Sequence, residues 1–178
     1  MTPMRTLSAS GMQLEPQTAA HAEAMFAVLN DSAVFTYIDE APPASVTALR
    51  DRYARLETRL SADGREHWLN WVIRLDGGPL AGFVQATVVP NGLAWIAFVL
   101  GRGHWGRNHA WHASRAMLDE LASRYGVTRW LATADRDNRR SIALLKRLGF
   151  ELADDDLRSA HDVAANDVLL ALALDASA

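Results

Sequence analysis

The amino-acid sequence predicts an α+β fold, a mixed and mainly antiparallel sheet flanked by helices. Three observations carry this. Residues 68–100 hold strand-sized apolar segments separated by tight-turn sequences. The segments on either side keep helical spacing and have marked ends. A short run of strand formers, Thr128 to Thr133, separates the last two helices. The 178 residues, 49% hydrophobic and 22% charged, suffice for one domain with a sizeable core. Its expected bounds are 1–178, with the core from about 12 to 175.

Gly11 to Pro16 reads as a first strand. Thr18 begins a helix to about Leu29, with Ala22, Met25, Phe26 and Leu29 on one face. Asn30 to Pro43 is loop-like and carries the aromatic pair Phe35 and Tyr37. Ser45 caps a second helix in which Leu49, Tyr53, Leu56 and Leu60 keep helical spacing. Its arginines and acids form a solvated face. Trp68 to Leu75, Leu80 to Val89 and Leu93 to Leu100 then follow as strands. Asp76-Gly77-Gly78-Pro79 and Pro90-Asn91-Gly92 are the turns between them, so the three form an antiparallel meander.

A long helix runs from about Asn108 to Tyr125 and is closed by Gly126. Thr128 to Thr133 returns beside the meander, where a strand–helix–strand unit favours parallel pairing. Asn138 caps the next helix, with Ile142, Leu145 and Leu148 facing a core. Lys146 and Arg147 suit its last turn, and Gly149 stops it. A weak strand near Phe150 and a last strand, Asp167 to Leu174, complete the order β-α-α-β-β-β-α-β-α-β-β.

Several function classes fall away on composition. A net charge of −3 gives no sequence-independent grip on nucleic acid. No apolar stretch spans a bilayer, so no membrane role is expected. The absence of cysteine excludes disulfides, thiolate metal sites and a cysteine nucleophile. With no signal-peptide layout in Met1 to Met12, the expected location is cytoplasmic.

Gly101-Arg102-Gly103-His104-Trp105-Gly106-Arg107-Asn108-His109-Ala110 links a strand to a helix. A helix N-terminus offers unpaired N–H groups and a positive dipole end, and glycines let backbone approach an anion. Taken alone, the turn reads as a pyrophosphate cradle or as a plain connecting loop. No metal site is expected at His104, His109 and His112, since no carboxylate or cysteine completes a set. A dinucleotide site is disfavoured, because the turn lacks Gly-x-Gly-x-x-Gly and a meander precedes it.

This turn and the Asn138-x-x-Ser141…Leu148-Gly149-Phe150 helix together resemble the two acetyl-CoA-binding motifs of the GNAT superfamily of N-acetyltransferases. Trp105-Gly106-Arg107-Asn108-His109-Ala110 is similar to the Trp-Gly-x-Gly-x-Ala form of the ribosomal-protein alanine N-acetyltransferase branch, with Asn108 in place of a glycine. Asparagine is well suited to left-handed backbone. The resemblance covers most of the chain and implies the family's sheet, splayed around an acetyl-CoA site. It implies that Phe98, Val99 and Leu100 pair with pantetheine, a backbone N–H there polarising the acetyl carbonyl. It further implies that Asn138 bonds the pantetheine arm and Ser141 lies near the sulfur. Leu145 stands where many members have a proton-donating tyrosine, which leaves Ser141 as the remaining catalytic donor candidate, alone or through water.

The implied reaction moves acetyl from acetyl-CoA directly to a primary amine, either a protein N-terminus or a small molecule such as an aminoglycoside, polyamine or amino acid. A non-catalytic acyl-CoA sensor is the other class. Phe35, Tyr37, Asn70 and Gln85 are the candidate acceptor-pocket residues. Trp111 covers the cofactor or lines a homodimer face. Candidate bases are His67, Glu66, Asp39, Glu40 and His161, with none singled out.

Overall fold

The computed structural model describes residues 2–174, so the expected bounds run past the described residues at both ends. Strands β1 (Leu7–Ala9), β2 (Met12–Pro16), β3 (His67–Leu75), β4 (Leu80–Val89), β5 (Leu93–Leu100), β6 (Arg129–Asp135), β7 (Glu151–Leu152) and β8 (Asp167–Ala173) form one sheet. Their spatial order is β1-β2-β3-β4-β5-β6-β8-β7, and only the β5–β6 pair is parallel. Helices α1 (Ala22–Leu29) and α2 (Val46–Leu56) cover one face. Helices α3 (His109–Tyr125) and α4 (Arg139–Arg147) pack on the other, and a short α5 (Asp155–Ser159) precedes β8.

The meander falls where the turns place it. β3 is buried on both faces: Trp71 and Ile73 join Met117 and Leu121 of α3, while Val72 joins Met25, Leu49 and Tyr53. This is why its sequence reads as a run rather than an alternation. Gly126 at φ +65 ends α3, and the Val127 N–H reaches back to the Leu121 carbonyl.

Five details differ from the sequence reading, the first being helix α5, which the expected order lacks between the last two strands. The first strand is one arm of a hairpin, since Leu7–Ala9 pairs with Met12–Leu14. That short strand is secured from a distance: Trp71 Nε1 donates to the Arg5 carbonyl, and Arg5 pairs with the buried Glu120 carboxylate of α3. Helix α2 stops at Leu56 instead of continuing through Leu60, because Arg59 turns left-handed at φ +60 and Leu60 bridges to His67. β6 extends to Asp135, paired with β8 all along. The last strand ends at Ala173, one residue short of the expected Leu174.

Two irregularities in the sheet position the site. β5 and β6 pair only at Leu93–Trp95 with Arg129–Leu131, then diverge. β5 stays on β4 through Leu100, and β6 stays on β8 through Asp135. The divergence therefore leaves one free backbone edge on each side of a V. Beside it, the β3–β4 register shifts between Ile73 and Arg74, so Ala81 is an extra residue, a β-bulge. The Gly101 N–H bonds the bulged Ala81 carbonyl at 2.9 Å. Gly82 follows, lying so close to β5 that a Cβ there would sit 2.1 Å from the Val99 carbonyl oxygen and 2.8 Å from the Leu100 Cα.

Both atoms at that contact are backbone, so no rotamer change relieves it. Gly82→Ala is expected to lower stability by about 3 kcal/mol, the upper end of overpacking costs. Urea denaturation checks this; a loss below ~0.5 kcal/mol would show that the β4–β5 approach is adjustable.

Candidate functional site

Strand parity decides which backbone groups face the V. The Gly101 N–H points to β4, so those of Val99 and Ala97 do as well. Ile96 turns its N–H to β6, where the Trp95–Leu131 bridge uses it, and Phe98 and Leu100 present theirs to the gap. The Leu100 carbonyl is taken by Trp105 Nε1 at 2.8 Å. Of the three residues expected to pair with a ligand, Phe98 offers both N–H and C=O, Leu100 offers its N–H, and Val99 is committed to β4. A groove of about 1480 Å³ passes through the V, with a cationic end and an acidic end.

The cationic end is the turn into α3. Asn108 sits at φ +62 and ψ +4, the left-handed conformation expected of it. Its Oδ1 accepts from Arg147 Nη1 at 3.0 Å, so the side chain does not cap the helix. The first bond of α3 runs from the His112 N–H to the Asn108 carbonyl. The N–H groups of His109, Ala110 and Trp111 thus have no intrahelical acceptor and sit at the positive end of a 17-residue helix. Gly106, at φ +73, keeps the approach open, while Arg102, Arg107 and Arg140 add charge along the lining. Arg140 lies 4.9 Å from the centre of the Trp105 ring and pins it. Trp111 lies at the groove edge, with Arg147 5.8 Å over its ring.

His104 and His109 line the same end, their rings 6.3 Å apart. Burial, then the charge of Arg107, holds His104 below the usual imidazole range. Burial and then His104, Arg107 and His112 do the same to His109. Next to them α4 begins. Asn138 Oδ1 accepts the Ser141 N–H at 3.2 Å, which realises the cap and leaves the Asn138 amide hydrogens for another partner. Ser141 lines the groove, whereas Leu145 is buried beneath it at 1% exposure.

The acidic end gathers Asp39, Glu40, Asp135, Asp137 and Asp167, which outnumber the Arg52, Arg55 and Arg139 side chains that also line the groove. Glu40 is paired with Arg52 at 2.9 Å. Asp135 accepts from the Asp137 N–H at 2.8 Å and from Asn166 Nδ2 at 2.7 Å. Burial and the charges of Asp135 and Asp39 raise the Asp167 carboxyl above the usual range, against the pull of Arg158. Among the expected base candidates, Asp39 and Glu40 line the groove. Glu66 instead accepts from Trp68 Nε1, His67 lies by Tyr125 and His161 packs edge-on against Trp95. Phe35, Tyr37, Asn70 and Gln85 all line the groove.

Sequence reasoning missed Asp135, Asp137, Asp167 and Arg140, as well as Gln17 and Tyr53 on the sheet face. Asp135 and Asp167 lie 32 positions apart and meet only because β6 and β8 pair antiparallel. A usable signal was available for Asp135 and Asp137, which immediately precede the Asn138 motif.

A family model for the acetyltransferase (GNAT) domain matches residues 12–151. The chain is 25% identical over 150 residues to the uncharacterized N-acetyltransferase p20 of Bacillus licheniformis, covering 83% of each. Among solved structures it resembles RimL, a ribosomal alpha-N-protein acetyltransferase in complex with coenzyme A. The TM-score there is 0.79 at 19% identity, covering 97% of this chain and 99% of that one. A Salmonella typhimurium acetyl transferase that modifies the N-terminal serine of a 50S ribosomal subunit protein gives 0.76 at 19% identity, covering 96% and 100%.

Two outcomes are expected from the cationic end. Asn108→Gly keeps the left-handed turn and changes stability by less than ~0.5 kcal/mol, whereas Asn108→Ala costs about 1–2 kcal/mol. Equal losses in the two variants by thermal denaturation would mean that the Arg147 hydrogen bond, not the backbone, fixes this position. The histidines give a pH dependence. Their folded-state affinity for protons is lowered, so their contribution is present above the unfolded value of 6.5 and lost as pH falls below it. Urea midpoints at pH 7.5 and 5.5 should drop more for the parent than for His104→Gln/His109→Gln; equal drops would remove these imidazoles from the balance.

Proposed function

The chain belongs to the GNAT acetyltransferase family and is an acyl-CoA-dependent N-acetyltransferase, and from that premise we propose that its acceptor is the terminal amine of a protein. The observation that carries this reading is the divided groove. One end is an anion cradle of free N–H groups and arginines; the other is an acidic mouth that suits an ammonium group. The exposed Tyr37 at that mouth suits a polypeptide that extends away from the site. The structural likeness to the ribosomal-protein acetyltransferases points the same way.

Acetyl-CoA supplies the activated acetyl thioester, and the lining fits it. The N–H groups of His109, Ala110 and Trp111, with Arg102, Arg107 and Arg140, would hold its pyrophosphate. The Asn138 amide and the free edge of β5 would hold pantetheine. In this reading the Phe98 N–H donates to the acetyl carbonyl oxygen, where negative charge develops during attack. Asp167, with its raised proton affinity, takes a proton from the ammonium so that a neutral amine attacks. The C–N bond forms, nitrogen sheds its second proton to solvent, and the C–S bond breaks. The Ser141 hydroxyl protonates the departing sulfur and recovers its own proton from solvent. The sequence has no cysteine to carry the acyl group, in keeping with direct transfer.

A small-molecule acceptor is the second reading, favoured by the acidic mouth, which also suits a polyamine. Acetylation of peptide N-termini and of polyamines, followed by mass spectrometry, separates the two. A higher kcat/KM for polyamines would overturn the protein reading, and coenzyme A binding with no amine modified would indicate a sensor. On the true acceptor, Ser141→Ala should lower kcat by about 10²-fold with little change in the KM for acetyl-CoA, and Asp167→Asn should abolish the acidic limb of the pH profile. Parent-like turnover by Ser141→Ala would assign the sulfur's proton to solvent.

A further inference from the structure

One line of residues interrupts the apolar face beneath α2. The Gln17 N–H bonds the Asn70 carbonyl, Asn70 pairs with Gln85, and Gln85 pairs with Ala97. Residues in register share a face, and here that face is otherwise Val72, Phe83 and Val99. Tyr53 comes down on the line from α2, beside Gln17. Gln17, Tyr53 and Asn70 are only 2%, 3% and 5% exposed, yet all three line the groove together with Gln85. Gln17 Oε1 and Tyr53 OH are buried with no partner at hydrogen-bond distance, although the neighbouring Gln17 amide already acts on the Tyr53 hydroxyl. Leaving such atoms unpaired works against the fold, so their placement along a cavity wall calls for a ligand group.

We infer that Gln17, Tyr53, Asn70 and Gln85 form a specificity pocket that reads an uncharged hydrogen-bonding group, an amide or hydroxyl, on the acceptor. Gln17 Oε1 needs a donor and the Tyr53 hydroxyl offers one; the two are neighbours that do not reach each other, so a group with both functions bridges them. None of the four side chains is ionised. Burial pushes the Tyr53 hydroxyl up to about 12, which keeps it protonated. The Arg52 charge acts on the Tyr53 hydroxyl and the Arg59 guanidinium bonds the Gln17 carbonyl, so a cationic group would lie there without a counter-ion. The line also sets a distance. At about 4.8 Å per strand, Asn70 lies roughly 10 Å and Gln17 roughly 14 Å from Ala97, the neighbour of Phe98. An extended peptide advances about 3.4 Å per residue, so the side chain of its third residue reaches this line when its amine lies at the V. The inference rests on the protein-terminus reading above, and its test separates the two.

Tetrapeptides Ala-Ala-Xaa-Ala, with Xaa as Asn, Ser, Leu or Arg, are assayed for kcat/KM. Their Kd is also measured by calorimetry with coenzyme A bound, which needs no turnover. The parent should prefer Asn and Ser over Leu and Arg by about tenfold, through KM and Kd. Tyr53→Phe and Gln17→Leu should erase that preference, with the KM for acetyl-CoA unchanged and Tm unchanged or higher. Selectivity in Kd without acetylation would sustain the pocket and overturn acetylation of peptide termini. A parent without preference, a preference surviving in both variants, or no peptide binding would overturn the pocket. A drop in Tm for Tyr53→Phe with selectivity intact would assign its hydroxyl to the fold alone.

Discussion

The β5–β6 ladder stops after three residue pairs, and the remainder of the site follows from that stop. Buried backbone N–H and C=O groups require partners. By separating these strands, the fold leaves a row of such groups to be satisfied by something other than protein. The separation is held open from both sides, since β5 is locked to β4 and β6 is zipped to β8. The bulge at Ala81 and the close passage of Gly82 over Val99 belong to the same device. They pull the end of β5 toward the meander, away from β6. Trp105 then occupies the last carbonyl of β5, so the free edge has a defined length.

On this frame the two helix starts divide the work. The α3 start leaves its N–H groups uncapped, because Asn108 spends its side chain on Arg147 and its backbone on a left-handed turn. The α4 start is capped, because Asn138 bonds Ser141. An open helix end suits an anion, and a closed one fixes the position of a hydroxyl. Arg140 and Arg147, one at each end of α4, reach the Trp105 and Trp111 rings, so the cationic end is tied together by arginine–indole contacts.

Much of this was legible in the sequence because it is local. The meander is written in its turns, the α3 stop in Gly126, the α4 cap in Asn138, and the Asn108 conformation in the residue type. What stayed hidden depends on pairing between distant segments. Leu7–Ala9 is too short to alternate and owes its place to Arg5, Trp71 and Glu120. Leu60 keeps helical spacing, yet the turn at Arg59 takes it out of α2. Asp135 and Asp167 become neighbours only through the β6–β8 register, and Gln17 and Tyr53 meet only once α2 packs over the sheet at Val72. Val99 cannot be told from Phe98 until strand parity is known.

On the function proposed above, each acetyl transfer leaves coenzyme A as a free thiol in the groove. A thiol held beside a cysteine is exposed to oxidation into a mixed disulfide, which would retain the spent carrier. The groove walls are built from amides, arginines, carboxylates and indoles, and the sequence holds no sulfhydryl anywhere. The walls of this groove therefore offer no partner for such a bond.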